Sequence, residues 1–297
     1  MPTVFYSPSY VGAGYEFDTT RKAKWVADSL IESPIRDIVL EAPQPVSHAQ
    51  LALVHNADYI RAIQTGEPRT LAESQGFSWD PEVWQMAVAS NGGVVAAALA
   101  ALEHGVEGSL TSGLHHARRE RGEGFCTFNG LAIAAHVALS AGARSVLILD
   151  LDAHFGGGTQ SLIANDPRIW QVDVSVSDFD QYPVTERTWP SIVMDCSEYL
   201  PTIERRLKEL EQYAPRFDLC LYNAGMDPYE QCPMGGLSGI TQEMLDRRER
   251  MVFDWCRARQ LPVAFALAGG YIGRRLDERG LVDLHRLTLS AAAEDIR

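Results

Sequence analysis

The densest chemistry in the sequence lies at residues 146–159, VLILDLDAHFGGGT, where an apolar run ends in carboxylate, carboxylate and imidazole at alternate positions. Successive side chains of a strand point to opposite faces, so Asp150, Asp152 and His154 emerge on one side. That is a disposition of metal ligands, although acids at the carboxyl end of a strand also cap helices or bind backbone amides. For Asp150 the two readings balance. Asp152 with His154 favours ligation, because two ligand-type residues two apart on one face have few other uses. A second apolar run, LCLYNAGMDP, ends at Asp227, and its Gly225 lets backbone pass close to a neighbour. An Asp before Pro is by itself usually a turn residue. Its weight comes from company, since open α/β sheets bind ligands beyond the carboxyl ends of their strands. Two carboxylates and one imidazole leave a coordination position open for water, as a catalytic zinc ion requires.

Around this candidate centre three further segments carry reactive groups. SLTSGLHHAR brings His115 and His116 to the end of another apolar run. Paired histidines are often core or cap residues, but beside a metal an imidazole titrating near neutrality takes a proton from water and returns it to a leaving amine. The following GEGFCTFNG offers flexible backbone and Phe125, placed either to line a narrow apolar channel or simply to pack. VAFALAGGY ends in Tyr271, whose hydroxyl would stabilise an oxyanion. No nucleophile elbow, P-loop or dinucleotide fingerprint is present, because Gly156, Gly157 and Gly158 lack the later glycine and follow ligand-type residues.

These residues span positions 115 to 271 and need a frame that brings them together. Apolar runs at Thr3 to Tyr6, Ile35 to Leu40, Ser109 to Thr111, Ser145 to Leu151, Trp170 to Val176, Leu219 to Asn223 and Pro262 to Leu267 read as strands. Several are apolar on both faces, as strands of a covered parallel sheet are. Helical segments alternate with them: Asp80-Pro81 supplies a cap and a first-turn proline for one, and Thr241 caps another. The pattern predicts an α/β fold, one domain over residues 1–297, with a mostly parallel sheet of about eight strands flanked by helices. Residues 65–79 and 178–195 read as loops that shape a pocket mouth.

Composition narrows the function. The net charge of -13, with no basic cluster beyond Arg118, Arg119 and Arg121, excludes an electrostatic footprint for nucleic acid. The acidic excess serves solubility or favours cationic substrates. Five scattered cysteines without a C-x-x-C pair fit reduced thiols in a cytoplasm. The amino terminus lacks a basic segment followed by an apolar run, and no stretch is expected to approach the roughly 18 apolar residues of a membrane span. A soluble cytoplasmic protein, with oligomerisation open, is the expectation.

Taken together, GLHHA, GFCTFNGLAIAA, LDLDAH, GMDP and AGGY, in that order and preceded by the weaker LALVHNADYIRAI, resemble the histone deacetylase superfamily. That superfamily includes acetoin-utilisation proteins and acetylpolyamine amidohydrolases and has the arginase-like α/β fold. The resemblance covers most of the chain. It implies Asp152, His154 and Asp227 as ligands of one Zn²⁺ or Fe²⁺, His115 and His116 as the tandem histidines, and Tyr271 as the residue polarising the acyl carbonyl. Gly124 and Phe125 match the acyl channel. Asp150 matches the carboxylate that orients the first histidine and, with Ser175, helps hold a structural K⁺. The implied reaction is hydrolysis of an acylated small amine or an acetyl-lysine peptide, with His116 as general base and acid and His115 mainly electrostatic.

The pattern also departs from the family. Phe155 stands where a His is usual, and Gly157 where an Asn or Asp holds the second tandem histidine. His116 is therefore expected to lack that partner, unless Glu120, Glu123 or Asp178 substitutes. The loop SDFDQYPVTERTWP is altered, leaving Tyr182 or Phe179 to supply the opposite channel wall. Cys232 replaces a common aspartate, and Met234 lines the pocket where a glutamate would have suggested polyamines. A binuclear ureohydrolase of the arginase type would need acids where Gly156 and Gly225 stand. A non-catalytic module that binds acyl ligands without turnover is the other alternative, motivated by Phe155 and Gly157.

Overall fold

A computed structural model of the chain describes residues 1–13 and 18–294. One sheet of eight strands runs through it: β1 (Thr3–Phe5), β2 (Val39–Glu41), β3 (Val106–Ser109), β4 (Val146–Asp150), β5 (Ile169–Ser175), β6 (Thr188–Ile192), β7 (Leu219–Gly225) and β8 (Val263–Ala268). Their order is β2-β1-β3-β8-β7-β4-β5-β6, and every pairing is parallel. All carboxyl ends therefore lie along one edge, which is where the candidate residues were expected.

The strands are apolar on both faces because both are covered. Along β4, Leu147 and Leu149 enter one core while Val146 and Ile148 enter the other, and β7 divides Cys220, Tyr222 and Ala224 from Leu219 and Leu221 in the same way. The period of two sends alternate side chains to opposite layers. The first layer contains α1 (Asp18–Glu32), α8 (Tyr199–Tyr213), α9 (Gln242–Ala258) and α10 (Glu278–Ala293); the second contains α3 (Ala57–Thr65), α5 (Glu82–His104) and α6 (Gly130–Ser140), and the short helices α2 (His48–Leu51), α4 (Arg69–Ala72) and α7 (Gly157–Ile163) lie in the connections. Each buried Leu or Ile in these layers contributes about 1.5–3 kcal/mol of apolar burial.

Local signals place the helices with small shifts. Thr241 caps α9 by accepting from the Met244 amide, as its position predicts. Asp80 accepts from the Glu82 amide, but Pro81 holds the cap position, one residue later than expected. Three readings need correction. The segment 65–79 is not all loop, because a one-turn helix, Arg69–Ala72, lies within it. The segment 178–195 is not all loop, because β6 lies within it as the edge strand; Pro190 and the polar Thr188 and Ser191 conceal it. An edge position tolerates proline because only one side pairs. Also contrary to expectation, α5 is long and apolar enough to cross a membrane, with an 18-residue window of mean hydropathy 1.5. Its alanines and glycines instead pack it against β3, β8 and α6, with 72% of that window buried.

Candidate metal centre and proton relay

At the carboxyl end of β4 the chain turns so that Asp152, His154 and, from the loop after β7, Asp227 converge. Each offers one ligand atom, and the three atoms lie within 4.8 Å of one another. His154 Nδ1 is 3.1 Å from Asp152 Oδ1 and 3.2 Å from Asp227 Oδ2. A side chain at Gly225 would place its Cβ 2.5 Å from Asp152 Cα, so the close approach of β7 to this turn requires glycine. Asp227 is fully buried; its Oδ1 accepts the Ala153 amide at 3.0 Å, and its Oδ2 meets only the His154 ring nitrogen at 3.2 Å, out of line for a hydrogen bond. Burial and the charge of Asp152 push the Asp227 carboxyl up to about 6. For His154, burial is outweighed by the two carboxylates, which raise the imidazole to about 11. Two buried carboxylates this close are costly without a cation between them. An orphaned carboxylate oxygen in an O,O,N donor set fits a zinc-type divalent ion. Among the described residues this is the one such grouping, and Gly156 and Gly225 provide no ligands for a second ion.

The tandem histidines follow β3 and are fixed from below. Asn129 caps α6 through the Ala132 amide and also donates to the carbonyls of His115 and Ala117, each at 3.1 Å. His55, in the weak early motif, bonds the Asn129 amide and the Arg118 carbonyl, tying both loops together. The two rings stand 4.0 Å apart but have different partners. His115 Nδ1 meets Asp150 Oδ2 at 2.7 Å, and Asp150 is held in turn by Asn223 Nδ2 at 2.8 Å. Burial, which opposes charge on His115, is outweighed by Asp150 and Asp152, and the imidazole is raised to about 10. His116 is pushed down to about 4 by burial and by the charge on His115.

His116 does not lack an orienting carboxylate, contrary to expectation, and none of the substitutes Glu120, Glu123 and Asp178 supplies it. Glu120 and Asp178 are exposed, and Glu123 is engaged by Arg118 and Arg121. The partner is Asp180, whose Oδ2 lies 2.9 Å from His116 Nδ1. Asp180 comes from the β5–β6 connection, with φ 59°, so no strand or helix periodicity could have placed it.

A family profile described as the histone deacetylase domain matches residues 17–280. The chain belongs to the histone deacetylase family. An uncharacterised protein of Picosynechococcus sp. is 35% identical over 86% of this chain and 84% of its own length. Histone deacetylase 2 of Arabidopsis thaliana is 26% identical, over 91% of this chain and 74% of its own length. Among solved structures, an acetylpolyamine aminohydrolase from Burkholderia pseudomallei superposes with a TM-score of 0.79 at 19% identity, covering 98% of each chain. The HDA15 HD domain does so with 0.78 at 18%, covering 98% of this chain and 89% of its own. These likenesses establish the deacetylase fold for the eight-stranded sheet, and the family is one of metal-dependent hydrolases.

The remaining residues read against this deacetylase frame sort into wall, rear and support. Gly124, with φ 53°, brings backbone against the His116 ring, and Phe125 beside it packs on Phe77 at 5.4 Å. Phe179, one of the two candidates for the opposite wall, stands with its ring edge-on to His116 at 5.0 Å and to His154 at 6.0 Å, and it is 45% exposed. Tyr182, the other candidate for that wall, is instead buried behind it against Phe155 at 6.1 Å and near Asp173. The apolar Phe155 creates that pocket for the Tyr182 ring. Met234 is partly exposed and precedes Gly235, which runs close to His154. Ser175 ends β5 with its Oγ buried and unpartnered. Tyr271 follows the left-handed Gly269 and Gly270 after β8. Two supports went unseen in the sequence. Lys22 of α1 is fully buried and donates to the Gly269 carbonyl at 2.5 Å. Arg248 of α9 donates to the Leu151 carbonyl at 3.2 Å and pairs with Glu249 behind the ligand strand. Both sit in amphipathic helices, where a Lys or Arg ordinarily faces solvent, so no sequence signal marked them.

Proposed function

We propose that this chain is a zinc-type metal-dependent amidohydrolase that removes an acetyl or another acyl group from an amine. The observation that carries the reading is the convergence of Asp152, His154 and Asp227 beside two histidines, each with its Nδ1 on a buried carboxylate of its own. When bound, the ion would supply Lewis acidity for the acyl carbonyl and acidify a water molecule.

The chain's own groups do the rest. His116 donates Nδ1–H to Asp180, which leaves the Nε2 lone pair facing the site as a base. Its low proton affinity keeps it neutral until it takes the proton of the attacking water. Nε2–H then delivers that proton to the departing amine nitrogen as the carbon–nitrogen bond breaks, so that amide and water become carboxylic acid and amine, which exchange the acid proton to leave as carboxylate and ammonium. His115, held protonated by Asp150, contributes positive charge. Tyr271 donates its hydroxyl to the carbonyl oxygen as negative charge develops there. Phe179, Gly124 and Phe125 exclude water along the acyl chain. Asp150 and the unpartnered Ser175 Oγ suit a structural K⁺.

An acetyl-lysine side chain or a small acylamine fits this site, and the apolar Met234 leans away from polyamines. All five cysteines are free thiols, in keeping with a reducing cytoplasm. The test is a panel of acetyl-lysine peptides, acetylpolyamines and longer acylamides assayed on protein of defined metal content. Turnover abolished by chelation and restored by Zn²⁺ or Fe²⁺ is expected. Binding without turnover on every substrate would replace this reading with the binding-module alternative, whose motive Asp180 already weakens.

A further inference from the structure

The β5–β6 connection, residues 176–187, carries two functions in adjacent residues. Asp180 Oδ2 accepts from His116 Nδ1 at 2.9 Å and from the Gly158 amide at 3.0 Å, while Oδ1 accepts from Arg118 Nη2 in a short contact. The side chain is only 3% exposed. Arg118 is itself clamped, donating Nε to Glu123 at 2.7 Å and Nη1 to the Gly157 carbonyl at 3.3 Å. A carboxylate with three donors around it is fixed in place and orients whatever it binds. The position at which the resembling family carries its amide or acid is excluded by the same geometry. A Cβ on Gly157 would overlap both the carbonyl and the carboxylate of Asp180.

We propose that Asp180 is the positioning residue for His116 in this chain, and that residue 157 is glycine because Asp180 occupies the space a side chain there would need. The two positions are mutually exclusive sources of one carboxylate. Because Phe179 precedes Asp180 and its carbonyl accepts the Phe155 amide at 3.1 Å, one loop segment both walls the channel and orients the proton carrier. The inference rests on the amidohydrolase reading for its consequence in turnover, but not for the geometry it asserts.

Three variants of the full-length, metal-loaded protein test it. Asp180→Ala should lower kcat about 10- to 100-fold with KM little changed, the loss typical of a group supporting a reactive imidazole. Gly157→Asp alone should be comparably impaired, since two carboxylates then compete for one space. In the double variant Gly157→Asp/Asp180→Gly the carboxylate overlap is gone, and glycine at this left-handed position lets the residue-180 carbonyl turn aside from the new Cβ, so most of the lost kcat should return, which no loss of mere loop structure would do. Nitrogen-15 NMR of labelled histidines in chelated protein, with His116→Gln assigning the signal, reads the tautomer without turnover. Nδ1-protonated His116 is expected in the parent and the double variant, and a mixed tautomer in Asp180→Ala. If Asp180→Ala does not fold, Asp180→Asn, which keeps an acceptor, should retain the Nδ1-protonated form. The proposal is overturned if Asp180→Ala keeps both kcat and tautomer, if the double variant restores neither, or if Asp180→Asn gives a mixed tautomer. If the parent hydrolyses no acylamide while the tautomers change as stated, the amidohydrolase reading fails and the positioning role stands.

Discussion

His115 and His116 are consecutive, similarly buried and 4.0 Å apart, yet one is raised to about 10 and the other lowered to about 4. The difference is a matter of anchorage. His115 leans on Asp150, the last residue of a central strand, and is surrounded by the acids of the same motif. His116 leans on Asp180, from a loop beside the edge strand, and has a cation for its neighbour. Environment assigns different roles to chemically identical groups: burial sets the cost of charge in both, and only His115 has enough carboxylates to meet it.

The largest effect that would break this contrast is the loss of either ring. His116→Ala should reduce kcat about 10²- to 10⁴-fold, the usual worth of a general acid–base. His115→Ala should cost less. Measured on the best substrate of a panel at saturating metal, equal losses would mean that the two rings share the proton work. Tyr271→Phe comes next, with about 10²- to 10³-fold off kcat for one lost oxyanion donor and a smaller change in KM. Equal losses in kcat and KM would remove Tyr271 from the transition state.

What was legible in the sequence follows the same division. Asp150, Asp152, His154 and Asp227 sit at or just beyond the ends of strands buried on both faces, where a period of two and a dense motif fix their direction. The pairing of Asp150 with His115 was implied by the family resemblance, and the structure places the two in contact. Asp180 was missed because its place depends on a left-handed turn and on a space vacated by Gly157, and neither has a periodic signature. The edge strand β6 was hidden by Pro190 for a related reason, since edge pairing tolerates residues that a central strand would reject. Tyr182 and Phe179 were interchangeable on composition. Only the buried pocket beside Phe155 decides which of the two turns inward.

Phe179 offers a smaller effect that sharpens the comparison. It belongs to the loop side, stands edge-on to His116 and is 45% exposed. Phe179→Ala should remove about 1 kcal/mol of apolar contact with the acyl chain, roughly a fivefold rise in KM with kcat nearly kept. Steady-state kinetics on two acyl lengths would check it. A fall in kcat comparable to that of Asp180→Ala would mean that the ring, and not only the carboxylate, holds the imidazole.

The smallest effect lies on the strand side, under the turn that carries Tyr271. Lys22 is buried beneath the Gly269 carbonyl, and burial, only partly offset by Asp227 and Asp152, lowers its ammonium from 10.5 to about 8. Between those values the unfolded chain holds a proton that the folded chain has released. Stability should therefore rise with pH across that window, at up to about 1.4 kcal/mol per pH unit. Lys22→Met keeps the apolar stem and removes the proton, so its Tm in chelator should lack this rise relative to the parent. Parallel Tm curves from pH 8 to 10.5 would show that Lys22 keeps its charge throughout. In that case the acids of the metal centre hold the ammonium as they hold His115, and the strand side would act as a single electrostatic unit.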